Sequence, residues 1–417
     1  MPHLPFTARR SPILTCLLTL TLTGLVAAGA AQAQQNVPFA NGIPVAPTGL
    51  ANIKLGAGPW TYPTGEGMDI KVEVVARDIE YPMAMAFTPK GELLLVTRKG
   101  KLFSIANGKA TEIPGGPPSV FAGESGGVGT VHGYVDIVLH PDFAKNQLVY
   151  ISYTKPVAGS PRGSIAIGRG KLVNGKLEGF ADIYDTQGKG AGVARMAFDK
   201  AGKLYVAPSG SDPQDLNTIG GKVLRLNDDG SIPKDNPYVG VPNTKPEVYS
   251  WGHRSALGLA MHPGTGMIWE SENGPNGGDE INIIKPKANY GWPKVSLGRD
   301  YKGPWQSADG PTHAGYEQPI VYWMPAIAVS GLLFYTGDAL PKWKGDVFVG
   351  SLRNGEVNGT GHIERILMND KFEELRRERL LDDLHQRVRD LKQGPDGYIY
   401  LCTEQKDGAV LRIMPAK

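Results

Sequence analysis

Cysteine and net charge are both scarce in this sequence, and each scarcity excludes a class of protein. Among 417 residues there are 2 cysteines, and 44 Lys and Arg nearly balance 41 Asp and Glu. Without clustered basic charge, nucleic acid and anionic membranes are poor partners. Cys16 lies in the N-terminal leader described next, so Cys402 alone remains for the mature chain. A single cysteine excludes an internal disulfide and a zinc site built on cysteines.

The sequence also has no apolar run long enough to span a membrane. Its N-terminus carries Arg9 and Arg10, an apolar stretch from Ile13 to Val26, and small residues that end at Ala33. A membrane-spanning helix needs about 20 apolar residues, whereas this order of charge, apolar core and small residues is typical of a secretory signal peptide. We therefore predict a signal peptide over residues 1–33, no membrane insertion, and a periplasmic or secreted protein.

Glycine and proline, by contrast, are abundant. The 55 glycines and 33 prolines favour a turn-rich, all-β chain. A pattern of apolar residues, a turn with Pro, Asp or Gly, and a second apolar strand recurs six times. The copies begin at Met85, Ile137, Met196, Leu259, Leu332 and Leu391. Each copy predicts a β-hairpin, because proline and glycine supply the backbone angles that a tight turn needs.

The spacing of the copies indicates the architecture. They begin roughly 50 to 70 residues apart, which leaves room for a four-stranded blade. One hairpin cannot bury both of its faces, but six arranged radially can. We predict an all-β, six-bladed β-propeller over residues 67–417 after an N-terminal lead-in of residues 34–66, with a β-sandwich as the alternative. The segment from Glu373 to Leu384 has helix-like composition, and we interpret it as a charged, solvated excursion between blades.

One loop region has the composition of a calcium site. Propellers bind ligands at a channel mouth, where the loops between strands converge. The stretch from Glu272 to Glu280 combines carboxylates with glycines and a proline. Calcium takes about six to eight oxygen ligands, many of them backbone carbonyls, and the turn at Gly274 and Pro275 can aim such carbonyls at an ion. An ordinary acidic loop is the alternative.

Four arginines form a second candidate site. Arg254 precedes the fourth copy of the repeat, Arg353 follows the fifth, and Arg387 and Arg389 open the sixth. Side chains alternate along a strand, so Arg387 and Arg389 face the same way and repel each other unless negative charge lies there. That charge belongs either to an acid such as Asp390 or to a ligand with several carboxylates, which arginine pairs bidentately.

Five stretches of the sequence carry a likeness to a known family. They are Gly221–Pro237, Gly252–Arg254, Ser271–Asn282, Asn289–Pro293 and Gln386–Gly397. Together they resemble the soluble quinone-dependent glucose and aldose sugar dehydrogenases, the glucose/sorbosone dehydrogenase family, in order over about residues 75–415. The resemblance implies a six-bladed propeller, a periplasmic oxidoreductase, calcium, and pyrroloquinoline quinone (PQQ) as redox cofactor. It also implies a small-molecule substrate and a soluble electron acceptor.

The resemblance assigns metal ligands to this chain. In the family, backbone oxygens of a Gly-Pro pair hold the calcium that is bound with the quinone, and that pair is Gly274 and Pro275 here. A second calcium uses a glutamate and a tyrosine ten residues further on, and Glu280 and Tyr290 keep that spacing.

The resemblance likewise assigns cofactor-binding residues. Basic residues hold the quinone carboxylates in the family, and Arg254, Arg387 and Arg389 stand at the matching positions. Arg353 stands where the family usually has a lysine, which keeps the charge but changes its shape. Ser255 replaces an asparagine, which removes an amide contact. The cofactor-binding set is therefore expected to be largely retained.

The likeness fails at the reacting centre. The family's catalytic histidine lies four residues before the arginine of the third blade, and Ala191 occupies that position here. The acid that precedes the histidine becomes Gly190, and a further aspartate falls on Gly210, close to Asp212. The glutamine of the second blade falls on Val131. The polar wall that oxidises sugar in the family is therefore missing at these positions.

His132 is the sequence's candidate for a replacement base. It lies directly after Val131, and a loop histidine that hydrogen-bonds the backbone is the alternative. Loss of a positioned general base costs about 10²–10⁴ in rate. We therefore predict that glucose is a poor substrate or none.

Three functions remain open from the sequence alone. The first is a PQQ-dependent sugar or alcohol dehydrogenase with an altered substrate. The second is a non-redox hydrolase, lyase or isomerase that uses the calcium and arginine mouth for a small molecule, which activity without quinone would indicate. The third is a ligand-binding propeller without turnover, which loss of the cofactor arginines would indicate. Those arginines are present.

Overall fold

Strands dominate the described chain. The computed structural model describes residues 52–121, 131–188, 192–299 and 315–416, together with a short hairpin of Phe39–Ala40 and Ile43–Pro44. Helix in these residues is limited to one α-helical turn and two 3₁₀ turns, which are Phe143–Asn146, Pro341–Trp343 and Asp382–Leu384. The predicted all-β class is confirmed.

Six sheets form the blades of a β-propeller, as the six hairpins predicted. In the first five blades, strands that follow each other in sequence pair antiparallel in a four-stranded meander. Blade 1 contains Pro82–Phe87, Leu93–Thr97, Leu102–Ala106 and Lys109–Glu112. Blade 2 contains Tyr134–Leu139, Leu148–Val157, Ser160–Val173 and Lys176–Asp185. Blade 3 contains Ala194–Phe198, Leu204–Pro208, Lys222–Leu226 and Val248–Trp251.

The remaining blades follow the same order along the chain. Blade 4 contains Ala256–Met261, Ile268–Glu272, Asp279–Ile283 and Val321–Trp323. Blade 5 contains Val329–Phe334, Val347–Ser351, Ile363–Met368 and Glu374–Leu380. Blade 6 begins with Val388–Gln393, Ile399–Thr403 and Gly408–Pro415. All six predicted hairpins are thus the first two strands of a blade.

The sixth blade closes the ring by joining the two ends of the propeller. Gly408–Pro415 pairs antiparallel with Ile70–Ile79 from the N-terminal side of the chain. Trp60–Tyr62, from the lead-in, adds a fifth strand outside it. Because closure leaves no open sheet edge between the first and last blades, the ring buries its inner strands. All five residues of Leu93–Thr97 and of Ile399–Thr403 are buried accordingly.

The interpretation of Glu373–Leu384 as an excursion between blades was wrong. Glu374–Leu380 is the outer strand of blade 5, and the 3₁₀ turn Asp382–Leu384 follows it. An outer strand has one face and one edge in water, so it tolerates charge at most positions. Some of these charges also form ion pairs within the strand, since Arg377 pairs with Glu374 at 2.5 Å. The charged composition of this segment therefore led to the wrong prediction, although the segment is a regular strand.

Hairpin geometry brings the candidate site residues to one mouth of the channel. In each blade the first two strands are antiparallel, so the start of the first lies beside the end of the second. The terminal pairs in blades 4, 5 and 6 are Ala256 with Glu272, Val329 with Ser351, and Val388 with Thr403. Residues just outside these pairs, such as Arg254, Arg353 and Arg387, therefore converge.

Candidate functional site

A pocket at this mouth, here termed the central pocket, unites most of the predicted site. The predicted residues that line it are Arg254, Ser255, Gly274, Pro275, Arg353, Arg387 and Arg389. Val131 and Val193 contribute apolar wall from blades 2 and 3, and Asp279 and Glu356 contribute carboxylates. The predicted cofactor set and the first predicted metal pair thus share one cavity.

Glu404 is the acid that Arg387 and Arg389 face. It is fully buried, and its Oε2 accepts hydrogen bonds from Arg387 Nη2 at 3.2 Å and Arg389 Nε at 2.9 Å. Arg98 Nη1 donates to Oε1 at 3.1 Å. Burial by itself would raise the pKa of Glu404, but the three guanidinium groups hold it at about 2. The carboxylate is therefore permanently ionised at neutral pH.

Arg387 and Arg389 keep donor atoms that no described residue uses. Both are buried and share one carboxylate, that of Glu404, which also pairs with Arg98. Within the described residues, Arg389 Nη1 and Arg387 Nε are buried without a hydrogen-bond partner. Burial, and then the charges of Arg389 and Arg353, lower the pKa of Arg387 to about 10. Orphaned donors on buried, positively charged groups mark a place for an anion.

The sequence suggested Asp390 as an acid that neutralises Arg387 and Arg389, but its carboxylate contacts other groups. Its carboxylate lies 3.8 Å from Arg195, and it accepts a backbone hydrogen bond from Met85 at 2.8 Å. Arg195 also pairs with Asp136 at 3.1 Å. These contacts join blades 1, 2, 3 and 6 around the channel. They hold the first strands together rather than neutralising Arg387.

The turn at Gly274 is too tight for any other residue. A Cβ there would lie 2.2 Å from the carbonyl oxygen of Gly277 and 2.3 Å from that of Gly278. The turn is fixed by Asp279, which is fully buried and accepts the Gly274 N–H at 3.0 Å. Burial raises the pKa of Asp279 to about 7. This crowding explains why glycine occupies position 274, and the calcium site at Gly274 and Pro275 stays a prediction.

A second cluster of acids lies in the same blade, behind the central pocket. Glu270, Glu272 and Glu280 are buried with His253, whose Nδ1 lies 2.7 Å from Glu270 Oε2. Asn282 Nδ2 donates to Glu272 at 3.2 Å and to Glu280 at 3.3 Å. The sequence analysis named Glu272 and Glu280 as carboxylates of the candidate calcium loop but missed Glu270, which lies in the same strand as Glu272, Ile268–Glu272.

The chemistry of this cluster fits a bound cation. Neither buried carboxylate oxygen of Glu270 accepts a hydrogen bond of good geometry from a described residue, although His253 Nδ1 lies close to Oε2. The ligand atoms of His253, Glu270 and Glu272 lie within 4.8 Å of one another. Burial raises the pKa of Glu272 to about 8 and that of Glu270 well above its ordinary range. Uncompensated buried carboxylates are costly unless a cation joins them.

Tyr290 reaches this cluster with its ring rather than its hydroxyl. The ring stacks on His253 with centroids 4.4 Å apart. The hydroxyl donates to the carbonyl oxygen of Ile283 at 2.5 Å and accepts the N–H of Lys285 at 3.0 Å. The phenol is therefore engaged with the backbone, which leaves the carboxylates as the main oxygen donors of the cluster.

The positions that depart from the family are only partly described. Ala191 and Gly190 lie outside the described residues. Val131 lines the central pocket, whereas the buried side chain of its neighbour His132 is absent from the described lining. Asp212 is likewise absent from that lining; its carbonyl oxygen accepts a hydrogen bond from Lys222 at 3.0 Å.

Known proteins share this fold and these motifs. A model of the glucose/sorbosone dehydrogenase family matches residues 79–412. The chain belongs to the glucose/sorbosone dehydrogenase family. Aldose sugar dehydrogenase YliI of Escherichia coli is 36% identical over 377 residues, which cover 87% of this chain and 96% of that protein. Quinoprotein glucose dehydrogenase B of Acinetobacter calcoaceticus is 29% identical over 354 residues, covering 73% of this chain and 68% of that one.

A solved structure agrees with the sequence comparison. The apo form of the soluble aldose sugar dehydrogenase from Escherichia coli superposes with a TM-score of 0.74 at 33% identity, covering 83% of this chain and 99% of that one. The glucose/sorbosone dehydrogenase family resemblance and the six-bladed propeller are both confirmed. No helix among the described residues is long and apolar enough to cross a membrane.

Proposed function

We propose that this glucose/sorbosone dehydrogenase family member binds PQQ in the central pocket and oxidises a hydroxyl group of a small sugar or alcohol. The observation that carries the proposal is the pair of buried guanidinium groups of Arg387 and Arg389, with donor atoms that no described residue uses. The family and its named relatives, a quinoprotein among them, support the same cofactor.

The described side chains suit a flat ligand with several carboxylates. PQQ carries three carboxyl groups on a planar ring system, and Arg254, Arg353, Arg387 and Arg389 offer forked donors from three blades. Arg254 is fixed for this role, since its guanidinium donates to the carbonyl oxygen of Asn273 at 2.9 Å and lies 5.3 Å from the Trp292 ring centroid. Such prior fixing reduces the ordering cost of binding.

Calcium is proposed at two places. The carbonyls of Gly274 and Pro275 would hold one ion at the pocket wall. The carboxylates of Glu280, Glu270 and Glu272 would hold the second ion. Tyr290, which the family implies as the partner of Glu280, has its hydroxyl engaged with the backbone. When bound, the quinone supplies a two-electron acceptor, and calcium polarises it as a Lewis acid.

The substrate is proposed to differ from that of the sugar-oxidising relatives. Ala191 has no proton to exchange, and Val131 places an apolar side chain on the pocket wall. A wall with fewer polar groups has fewer hydrogen bonds for a hydroxylated sugar. His132, the base predicted from the sequence, does not line the described part of the central pocket. A periplasmic location with a soluble electron acceptor follows from the proposed signal peptide over residues 1–33.

Reduction of an artificial dye tests this function directly. Mature protein supplied with calcium and PQQ would be assayed against a panel of aldoses, alcohols and aldehydes, with quinone-free protein as the control. The proposal expects turnover that requires added quinone and is weak or absent with glucose. Turnover of a small molecule that is equal without quinone would overturn it in favour of a non-redox enzyme.

A further inference from the structure

Two carboxylates line the described part of the central pocket, and they are engaged differently. Asp279 accepts backbone N–H groups at both oxygens, with Gly274 on Oδ1 at 3.0 Å and Val329 on Oδ2 at 2.9 Å. Glu356 lies beside Arg353, with Oε2 2.7 Å from Nη2. Oε2 is itself buried, and no described group donates a hydrogen bond of good geometry to it. Unlike Asp279, Glu356 therefore accepts no backbone N–H, and Arg353 is its only ion-pair partner among the described residues.

The backbone at Glu356 is held in an unusual conformation. Its φ is +70°, and that of Gly355 is +56°, so two successive residues are left-handed. For glutamate this conformation is strained and persists only where the surroundings enforce it. The Gly355 N–H donates to the Ala326 carbonyl at 2.8 Å, and the Val357 N–H donates to the Asn354 carbonyl at 3.1 Å. The loop is thus fixed with the glutamate side chain at the pocket wall.

Glu356 also lies between two cavities. Beside the central pocket is a second cavity, here termed the side cavity, whose walls include Asn276, Leu297 and Arg299. Ala326 and Glu356 line both cavities. Glu356 can therefore contact a molecule in either cavity.

We propose that Glu356 is the general base that replaces the family histidine lost at Ala191. The proposal rests on the proposed function. The Glu356 carboxylate accepts the proton of the substrate hydroxyl while the hydride on the same carbon leaves for the bound quinone, and a C=O bond forms. The substrate loses two electrons and two hydrogens, the quinone gains both electrons with the hydride, and the proton held on Glu356 completes its reduction.

The surrounding charges make Glu356 responsive to the cofactor. Burial raises the pKa of Glu356, whereas the charges of Arg353, Arg254 and Arg299 lower it. An anionic ligand that pairs with Arg353 and Arg254 offsets their effect, so the basicity of Glu356 rises when the site is filled. A base strengthened by cofactor binding is suited to proton abstraction near neutral pH.

Glu356→Gln is the decisive variant because it keeps the size of the side chain and removes its basicity. We expect kcat to fall by about 10²–10⁴-fold and the acid limb of the pH–rate profile to disappear. Quinone binding should be somewhat tighter, because a neutral side chain at position 356 no longer repels the anionic ligand. Calorimetry in buffers of different ionisation heat adds a readout without turnover. Wild type should take up protons when quinone binds at mildly acidic pH, and Glu356→Gln should take up fewer. Glu356→Asp should restore part of the rate.

Two further variants complete the test. Glu374→Gln removes a comparable i,i+3 pair with Arg377 on the outer strand of the same blade, and it should leave kcat and proton uptake as in wild type. The proposal is overturned if Glu356→Gln is active and has the same pH profile as wild type. It is also overturned if His132→Ala is inactive while Glu356→Gln is active. A weaker quinone Kd at unchanged kcat would mean that Glu356 only positions Arg353, which also overturns it. Wild type that binds no quinone would instead sink the proposed function itself.

Discussion

At the scale of single residues, Glu404 is the most constrained charge in the site. It is fully buried and holds three guanidinium groups, those of Arg98, Arg387 and Arg389. Removing one member of a buried ionic cluster leaves the others uncompensated, which is more costly than the cluster itself. Glu404 thus stabilises the folded state by partly neutralising the arginines, and the proposed ligand would neutralise the rest.

Glu404→Gln should therefore destabilise the quinone-free protein by about 3–5 kcal/mol. Chemical denaturation of both proteins measures the difference. Glu73→Gln is a suitable control, because Glu73 is partly exposed and pairs with Arg412 at 2.9 Å; its cost should stay below about 1 kcal/mol. A loss for Glu404→Gln no larger than for this control would contradict the account of the arginine cluster.

The stabilising effect of Glu404 should depend on pH in a defined direction. The folded pKa of about 2 lies below the ordinary glutamate value of about 4.3. The contribution is therefore fully present above about pH 4.3 and is lost as pH falls towards 2. The stability difference between wild type and Glu404→Gln should shrink between neutral pH and pH 3. A difference that grows on acidification would contradict this assignment.

At the scale of elements, hairpins could be predicted from the sequence because their determinants are local. Proline and glycine mark each turn, and apolar runs mark the two inner strands. The outer strand Glu374–Leu380 was missed because most of its side chains contact solvent, so its residues are charged and show no apolar strand pattern. The same contrast applies to the site. Arg254 and Gly274 occur in recognisable motifs, whereas Glu404 acquires its role only through its partners on the neighbouring strand and in blade 1.

A signal for Glu404 was nevertheless present in the hairpin register. Its N–H donates to the carbonyl oxygen of Arg387 at 2.9 Å, directly across the first pair of strands. The residue after the second strand of a hairpin faces the residue before the first. Applied to the sixth copy of the repeat, this rule places Glu404 opposite Arg387. Glu356 carried no such signal, because its position depends on an irregular loop.

The acidic cluster of blade 4 should make stability depend on calcium. Calcium should raise the Tm of wild type by mass action on the folded state, and Glu270→Gln should reduce that rise. In the presence of chelator the variant should be the more stable protein. The buried carboxylate of Glu270, which accepts no hydrogen bond of good geometry from a described residue, is replaced there by a neutral amide. Scanning calorimetry with calcium or chelator measures both effects.

Glu317→Gln is the control for this measurement, because Glu317 is partly exposed and pairs with Lys285 at 2.6 Å. Its response to calcium should equal that of wild type. Equal calcium responses in wild type and Glu270→Gln would place any bound ion elsewhere.

At the scale of the whole molecule, ring closure determines which parts of the site can cooperate. Gly408–Pro415 and Ile70–Ile79 share a sheet, so Arg98 of blade 1 meets Glu404 of blade 6 across the closure. The arginine cluster therefore exists only in a closed propeller. The number of blades was predictable from a regular repeat, but this contact between the first and last blades was not, because it joins residues more than 300 positions apart.

Calorimetric titration of calcium-loaded, quinone-free protein with PQQ tests the central claim most directly. The account predicts micromolar or tighter binding by wild type, and binding weakened by roughly 10- to 100-fold in Arg387→Gln, which loses charged hydrogen-bond donors. Arg412→Gln, which alters a partly exposed arginine of the same blade, should bind as wild type does. Wild type that binds no PQQ, or Arg387→Gln that binds it equally well, would contradict the assignment of the arginine pocket to this cofactor.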